Sequence, residues 1–111
     1  MGSVSSKTFL KTIYLAEMIH VNITVRGKVQ KIGFRFLSMQ TAIKLGINGF
    51  VRYLEKDVIY IEAEGIADKI EEFKHWCRHG QCSYHVSQIS IEPGEMKNFT
   101  AYDILDDEKK T

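Results

Sequence analysis

The residue types best suited to chemistry lie close together in the segment VRGKVQKIGFR, residues 25–35. An alternating apolar run ends at Gly27, a short loop follows, and a helix with Arg35 in its first turn comes next. Backbone N–H groups at a helix start lack partners within the helix, and the helix dipole favours negative charge there. Arg35 adds a guanidinium fork that fits phosphate oxygens, and Lys28 and Lys31 add positive charge. The segment therefore predicts a phosphate-binding site.

The elements that must position this loop follow from the hydropathy pattern. Val21, Ile23 and Val25 alternate with polar residues, which is typical of a strand with one buried face. Apolar residues at spacings of three and four predict an amphipathic helix over residues 34–45, ended by Gly46. The loop is therefore expected between the end of a strand and the start of a helix.

The rest of the chain predicts three further strands, a second helix and a short last strand. The strands are expected over residues 50–54, 58–63 and 84–92, the helix over residues 67–79, and the last strand from about Phe99 to Ile104. Val86, Ile89 and Ile91 break strict alternation once, which indicates a β-bulge. The order predicts an α+β fold, a ferredoxin-like βαββαβ sandwich with two helices packed on one face of an antiparallel sheet and a short terminal strand.

Length and composition favour a single soluble domain. The chain has 111 residues, of which 44% are hydrophobic and 26% charged. We predict a disordered extension over residues 1–17, a folded domain over residues 18–105 and a charged tail over residues 106–111. A net charge of +1 gives no strong field for nucleic acid or a membrane, so neither partner is expected. Two cysteines, Cys77 and Cys82, are expected as reduced thiols in a cytoplasmic protein.

Three sequence blocks together resemble one known family. The runs VRGKVQKIGFR, LGINGFVRY and VIYIEAEG are similar to the acylphosphatase family, and the resemblance extends over about residues 21–104. The spacing between the first two blocks matches the family pattern without a gap. The resemblance implies a small hydrolase that cleaves the carboxyl–phosphate bond of acyl phosphates, without a metal, another cofactor or a covalent intermediate. Its implied partner is a small-molecule acyl phosphate, and a monomer is expected.

The resemblance also implies which residues form the site. In this family, loop amides and one arginine bind the phosphate, and one asparagine positions the attacking water. Carried over to this sequence, the phosphate-clamping arginine is Arg35, and the asparagine position is occupied by Tyr53. The implied substrate-binding residues are Lys28, Val29, Gln30, Lys31, Ile32 and Arg35.

Two departures from the family pattern affect the expected activity. Tyr53 offers one hydroxyl farther from the backbone, where an asparagine offers a donor pair and an acceptor on a short arm. Lys31 stands where the family usually has glycine, and it would be strained by about 1 kcal/mol if that position needs a positive φ. We therefore expect reduced turnover. The alternative is a catalytically silent domain that binds a phosphorylated metabolite or partner.

The sequence also contains features that could suggest a zinc site or an RNA-binding surface. His75, Cys77, His79, Cys82 and His85 form a run that could suggest zinc, but a helix break at Gly80 would separate them, so no metal site is predicted. Ferredoxin-like sheets also occur in RNA-binding modules, which makes RNA binding a distant alternative. The aromatic residues Phe50, Phe73, Trp76 and Phe99 do not match the sheet motif of such modules.

Overall fold

The structure is a computed structural model that describes residues 17–106. The elements in chain order are β1 (Met18–Gly27), α1 (Phe34–Leu45), β2 (Asn48–Glu55), β3 (Val58–Ile66), α2 (Ala67–His79), a 3₁₀ turn (Ser83–His85), β4 (Val86–Gly94) and β5 (Tyr102–Ile104). The predictions for residues 1–16 and 107–111 lie outside the described residues. The carbonyl of Glu17 accepts a hydrogen bond from the Ala67 amide at 2.9 Å, which ties the residue before the predicted domain boundary to the start of α2.

The five strands form one sheet in the order β4-β1-β3-β2-β5. Strands β1 to β4 pair antiparallel, whereas β5 pairs parallel with β2, so the complete sheet is mixed. Both helices cover the same face, and the buried side chains Ile23, Ile61 and Val51 of three neighbouring strands point toward Phe34 and Phe73 of the helices. The predicted ferredoxin-like α+β fold is confirmed, and the parallel β5 is the feature that the sequence did not predict.

Strand β4 contains the predicted bulge but begins later than expected. Its pairing with β1 passes from Arg26 opposite Gln88 to Gly27 opposite Val86, so Ser87 is the extra residue. The predicted strand start at residue 84 is wrong, because the His85 amide donates to the Cys82 carbonyl at 3.1 Å and closes a 3₁₀ turn. Pairing of β4 therefore starts only after this turn.

Residues 95–101 connect the two edges of the sheet, and we call this segment the strap. It leaves β4, whose Gly94 pairs with His20 on β1, and ends at β5 on the opposite edge. The Phe99 amide donates to Glu64 Oε1 at 2.9 Å, and Asn48 Nδ2 donates to the Phe99 carbonyl at 3.0 Å. Phe99 is therefore part of the strap rather than of the last strand, where the sequence had placed it.

The strap covers a buried polar cluster on the sheet face opposite the helices. His20 Nδ1 lies 2.7 Å from Glu64 Oε2, and its Nε2 lies 3.1 Å from Glu62 Oε1 and 2.8 Å from Asn22 Oδ1. Lys97 of the strap contacts both glutamates. Its backbone amide donates to Glu64 Oε2, and its side-chain Nζ donates to Glu62 Oε1 at 2.8 Å. The cluster thus fastens the strap to the sheet through side-chain and backbone hydrogen bonds.

Hydrogen bonding keeps both glutamates of this cluster ionised. Burial alone would raise the pKa of Glu64, but hydrogen bonds from His20 and from the backbone amides of Lys97 and Phe99 outweigh it and lower that pKa. Burial likewise opposes ionisation of Glu62, and hydrogen bonds from Lys97 and from a neighbouring tyrosine lower its pKa. The two carboxylates of the cluster are therefore satisfied by hydrogen bonds from the strap and from neighbouring side chains.

Both cysteines are free thiols and both are buried. Burial raises the pKa of the Cys77 thiol to about 12, which leaves little thiolate at neutral pH. Both positions agree with the expected structural role of these cysteines. Among the described residues, neither helix is long and apolar enough to cross a membrane.

Candidate active site

The loop between β1 and α1 is anchored at its root by close backbone contacts. Gly27 has a φ of 149°, and a Cβ at this position would lie 2.2 Å from the His85 carbonyl oxygen. The Lys28 amide donates to the same carbonyl at 2.9 Å, and the Val29 amide donates to the Gly27 carbonyl at 2.8 Å. These two amides already have partners. Of the loop amides predicted to bind phosphate, those of residues 30–32 are therefore the ones that can do so.

The outer part of the loop has the geometry of an open anion site. Among the described residues, the amides of residues 30–32 donate to no backbone carbonyl. Lys31 has a φ of 64° and Gly33 a φ of 78°, so the chain makes two left-handed steps before α1 begins. No side chain caps the start of α1, and its first turn contains no acidic residue. No side chain of α1 therefore offsets the attraction of its N-terminus for an anion.

Arg35 and Tyr53 pack against each other beside this loop. The Arg35 Cζ atom lies 4.5 Å from the centroid of the Tyr53 ring, within the range of a cation–π contact. The Tyr53 hydroxyl donates to the Val29 carbonyl at 3.2 Å. Tyr53 therefore holds the arginine with its ring and the loop with its hydroxyl, and it joins β2, the loop and α1 at one point.

A small cavity of about 200 Å³ brings the main site residues together. It is lined by Lys31, Gly33, Phe34, Arg35, Phe36, Tyr53 and Ile104. Of the residues predicted from the sequence, the cavity gathers Lys31, Arg35 and Tyr53. Gln30 and Ile32 are half-buried in the loop beside it. The sequence did not identify Phe36 and Ile104 as site residues, although Phe36 lies outside the apolar spacing of its helix and directly follows Arg35.

Lys28 lies apart from this cavity. It lines a separate cleft of about 590 Å³ together with Arg26, Asp57, Tyr84 and His85. The larger cleft is on the side of the loop root, where the amides are already hydrogen-bonded. The Lys28 side chain is therefore exposed near the site but does not line the cavity that holds Arg35.

The zinc and RNA interpretations gain no support from the described residues. The rings of His75 and His79 lie 4.8 Å apart on α2, but residues 17–106 contain no group of three side chains that could hold a metal. Trp76 packs against Phe34 with ring centroids 5.3 Å apart, and Phe99 of the strap packs edge-on against Phe50 at 5.8 Å. These aromatic rings pack against one another rather than standing free on the sheet.

Comparison with known proteins agrees with this geometry. The sequence model of the acylphosphatase family matches residues 21–104. An acylphosphatase of Trichormus variabilis is 32% identical over 89 residues, which cover 80% of this chain and 88% of that protein. This chain belongs to the acylphosphatase family. It is accordingly a hydrolase of the class that acts on acid anhydrides.

Solved acylphosphatase structures share the fold. The acylphosphatase from Coxiella burnetii superposes with a TM-score of 0.74 at 25% identity, covering 79% of this chain and 93% of that chain. Full-length HypF, solved in a phosphate- and nucleotide-bound form, also superposes with a TM-score of 0.74 at 26% identity, over 83% of this chain but 12% of that chain. The acylphosphatase fold thus occurs both as a small protein and as one part of a much larger one.

Proposed function

We propose that this acylphosphatase hydrolyses acyl phosphates to a carboxylate and phosphate, with the phosphoryl group held by Arg35 and the amides of residues 30–32. The observation that carries the proposal is the placement of Arg35 in the uncapped first turn of α1, against the cavity that Lys31 also lines. Three kinds of donor converge there: a guanidinium, an ammonium and backbone amides. Each favours the negative oxygens of a phosphoryl group.

The reaction needs little covalent chemistry from the protein. Water attacks phosphorus, the bond between phosphorus and the acyl oxygen breaks, and a carboxylate leaves with the bonding electrons. The attacking water releases its proton to solvent, and the carboxylate is a weak base that needs no general acid to leave. Catalysis then rests on holding the phosphoryl group and stabilising charge on its outer oxygens. Arg35 is suited to this role because the Tyr53 ring fixes its position before substrate arrives.

Tyr53 is the reason to expect reduced turnover. It occupies the position of the family asparagine, and its hydroxyl proton is committed to the Val29 carbonyl. It therefore fixes the loop but does not offer the amide group that would hold the attacking water. The same observation favours the second candidate function, a catalytically silent domain that binds a phosphorylated metabolite or partner.

Hydrolysis of benzoyl phosphate in the presence of EDTA tests the proposal. We expect turnover by the wild-type protein and a loss of about 10²- to 10³-fold in kcat/KM for Arg35→Ala. Arg78→Ala is the matched control, because Arg78 is exposed in the last turn of α2, away from the cavity. Full activity in Arg35→Ala would contradict the proposed site. Phosphate binding without turnover in the wild type would establish the silent domain instead.

We also propose that the protein acts as a monomer in the cytoplasm on a free small molecule. The net charge of +1 supports this, because it provides no long-range attraction to nucleic acid or to an anionic membrane. The two free, buried thiols are typical of a reducing compartment. Light scattering on the purified protein would test the monomer directly.

A further inference from the structure

The cavity beside Arg35 is lined by both cationic and apolar residues. Lys31 and Arg35 are the cationic ones, and Phe36 and Ile104 are exposed apolar residues in the same lining. We propose that Phe36 and Ile104 form an acyl-binding surface, so that the substrate is the phosphate of a small apolar acid. This inference rests on the proposed function, which supplies the position of the phosphoryl group but not the nature of the acyl group.

Phe36 is exposed although its helix has a well-formed buried side. The core positions of α1 are Phe34, Ser38 and Ala42, and Phe36 is 52% exposed. At 100° per residue, Phe36 is rotated about 200° from Phe34 around the helix, so packing of α1 does not require an aromatic residue there. Single exposed apolar side chains are common on proteins, but this one lines a cavity beside a catalytic arginine.

Ile104 approaches the same cavity from the far end of the chain. It is 37% exposed, and its backbone is held by β5 pairing with Val51 and by the Leu105 amide, which donates to the Val51 carbonyl at 2.9 Å. Tyr102 anchors the strand, since its buried hydroxyl lies 3.2 Å from Ser38 Oγ on α1. The apolar surface is thus built on a helix and a paired strand, which fix the backbone positions of its two residues.

The remaining lining offers no recognition of a polar acyl group. Among the described residues that line the cavity, none is Asp, Glu, Asn, Gln, Ser, Thr or His. The one neutral polar side chain in that lining is Tyr53, whose hydroxyl proton is donated to the Val29 carbonyl. An acyl group with hydroxyls would therefore find few partners there, whereas an apolar group would cover Phe36 and Ile104 from water. The volume of about 200 Å³ corresponds to about seven water molecules, enough for a phosphoryl group with a short chain or one ring.

A matched pair of substrates tests this surface. We expect the wild type to prefer benzoyl phosphate over acetyl phosphate, and Phe36→Ala to lower kcat/KM for benzoyl phosphate about tenfold while changing acetyl phosphate less than about twofold. Ile104→Ala is expected to act in the same direction. Ile43→Ala is the control, because Ile43 is 63% exposed on α1 but does not line the cavity. Equal losses on both substrates would overturn the proposal.

A binding measurement separates this proposal from the catalytic one. Phenylphosphonate and methylphosphonate carry the same anionic head on an aromatic and a minimal apolar group. The acyl-binding surface predicts tighter binding of phenylphosphonate, with the difference lost in Phe36→Ala, whether or not the protein turns over a substrate. Equal affinities in the wild type would overturn the acyl-binding surface. If the wild type bound phenylphosphonate more tightly but hydrolysed no acyl phosphate, the result would contradict the proposed catalysis and leave the acyl-binding surface supported.

Discussion

The two ends of the sheet carry polar clusters with opposite properties. At the strap end, His20, Glu62 and Glu64 are buried and hydrogen-bonded to one another or to the strap. At the loop end, Lys31 and Arg35 line an open cavity. The difference matches a structural role for the buried cluster and the binding role that we propose for the open one. Buried polar groups that are hydrogen-bonded to one another hold the chain together, whereas cationic side chains at an open cavity are suited to bind an anion.

The two clusters also differ in the backbone that presents them. His20 and Glu64 lie directly opposite each other on paired strands, so regular extended backbone brings them together. Lys31 reaches the cavity from a left-handed backbone conformation with a φ of 64°, which is costly for a side chain other than glycine. The strap also contains a left-handed residue, Asn98 with a φ of 59°, but asparagine adopts this conformation more easily than lysine does. The less favourable of the two left-handed residues therefore lies at the loop end.

The largest effect on stability is expected from Glu64→Gln at the strap end. The carboxylate is 2% exposed and accepts hydrogen bonds from His20 and from the Lys97 and Phe99 amides. A glutamine would turn an NH₂ group toward one of these donors and remove the buried charge. We expect a loss of about 3 kcal/mol in the free energy of unfolding, measured by urea denaturation.

Glu71→Gln is the control for this change, because Glu71 is exposed on α2 and pairs with Lys74 in a surface ion pair. We expect the same unfolding midpoint as in the wild type. If both variants unfolded alike, the strap cluster would contribute no more than a surface pair, and the contrast between the two ends would disappear.

The same cluster predicts a loss of stability in acid. The pKa values of Glu62 and Glu64 are lower in the folded protein than in the unfolded chain, so protonation favours unfolding. Their contribution is complete above the ordinary glutamate pKa of about 4.3 and is lost as the pH falls through the lower folded values. Melting temperatures measured from about pH 7 down to pH 3 should fall steeply in the wild type and less steeply in Glu64→Gln.

A smaller effect, on turnover rather than on stability, is expected from Tyr53→Asn at the loop end. The substitution restores an amide at the family position, so we expect kcat to rise about tenfold if water positioning limits the reaction. KM should rise as well, because Arg35 loses the ring against which it packs. Tyr53→Phe is the control, since it keeps the ring but removes the hydrogen bond to the Val29 carbonyl. A lower kcat in Tyr53→Asn than in Tyr53→Phe would contradict this interpretation.

The smallest effect is expected from Lys31→Gly. Relief of the left-handed conformation should stabilise the fold by up to about 1 kcal/mol, while loss of the ammonium should weaken phosphate binding a few-fold, by about 1 kcal/mol or less. Asp57→Gly is the matched control, with a φ of 63° in the turn between β2 and β3 and no place in the Arg35 cavity. It should raise the melting temperature without changing phosphate affinity in calorimetry. Equal effects of both variants on affinity would remove Lys31 from the site.

The sequence predicted those features whose signals are local. The bounds of α2 were predicted correctly at residues 67–79, because apolar spacing marks its length and Gly80 follows it. The start of β4 was predicted too early. Backbone hydrogen bonds fold Ser83–His85 into a 3₁₀ turn, although the residue types of this segment are typical of a strand. Phe99 was assigned to a strand because local pattern does not reveal that its amide binds Glu64, far away in the sequence.

The same holds for the candidate site, where residues in sequence motifs were predicted and contacts between distant segments were not. The motif located Lys31, Arg35 and Tyr53, since all three lie in or beside blocks with fixed spacing. It could not show that Tyr53 binds the Val29 carbonyl, or that the Lys28 and Val29 amides already have partners. It also missed the apolar lining, because that lining forms only when β5 pairs with β2 beside α1.

The late position of β5 along the chain has a consequence for how the protein is made. The loop, Arg35 and Tyr53 are synthesised well before Ile104, which follows every other element described. Because chains emerge from the ribosome in order from the N-terminus, the residues that we propose to bind phosphate are available for folding before the residue that completes the proposed acyl-binding surface. On this proposal, a growing chain contains the groups that hold phosphate first and the surface that selects the acyl group last.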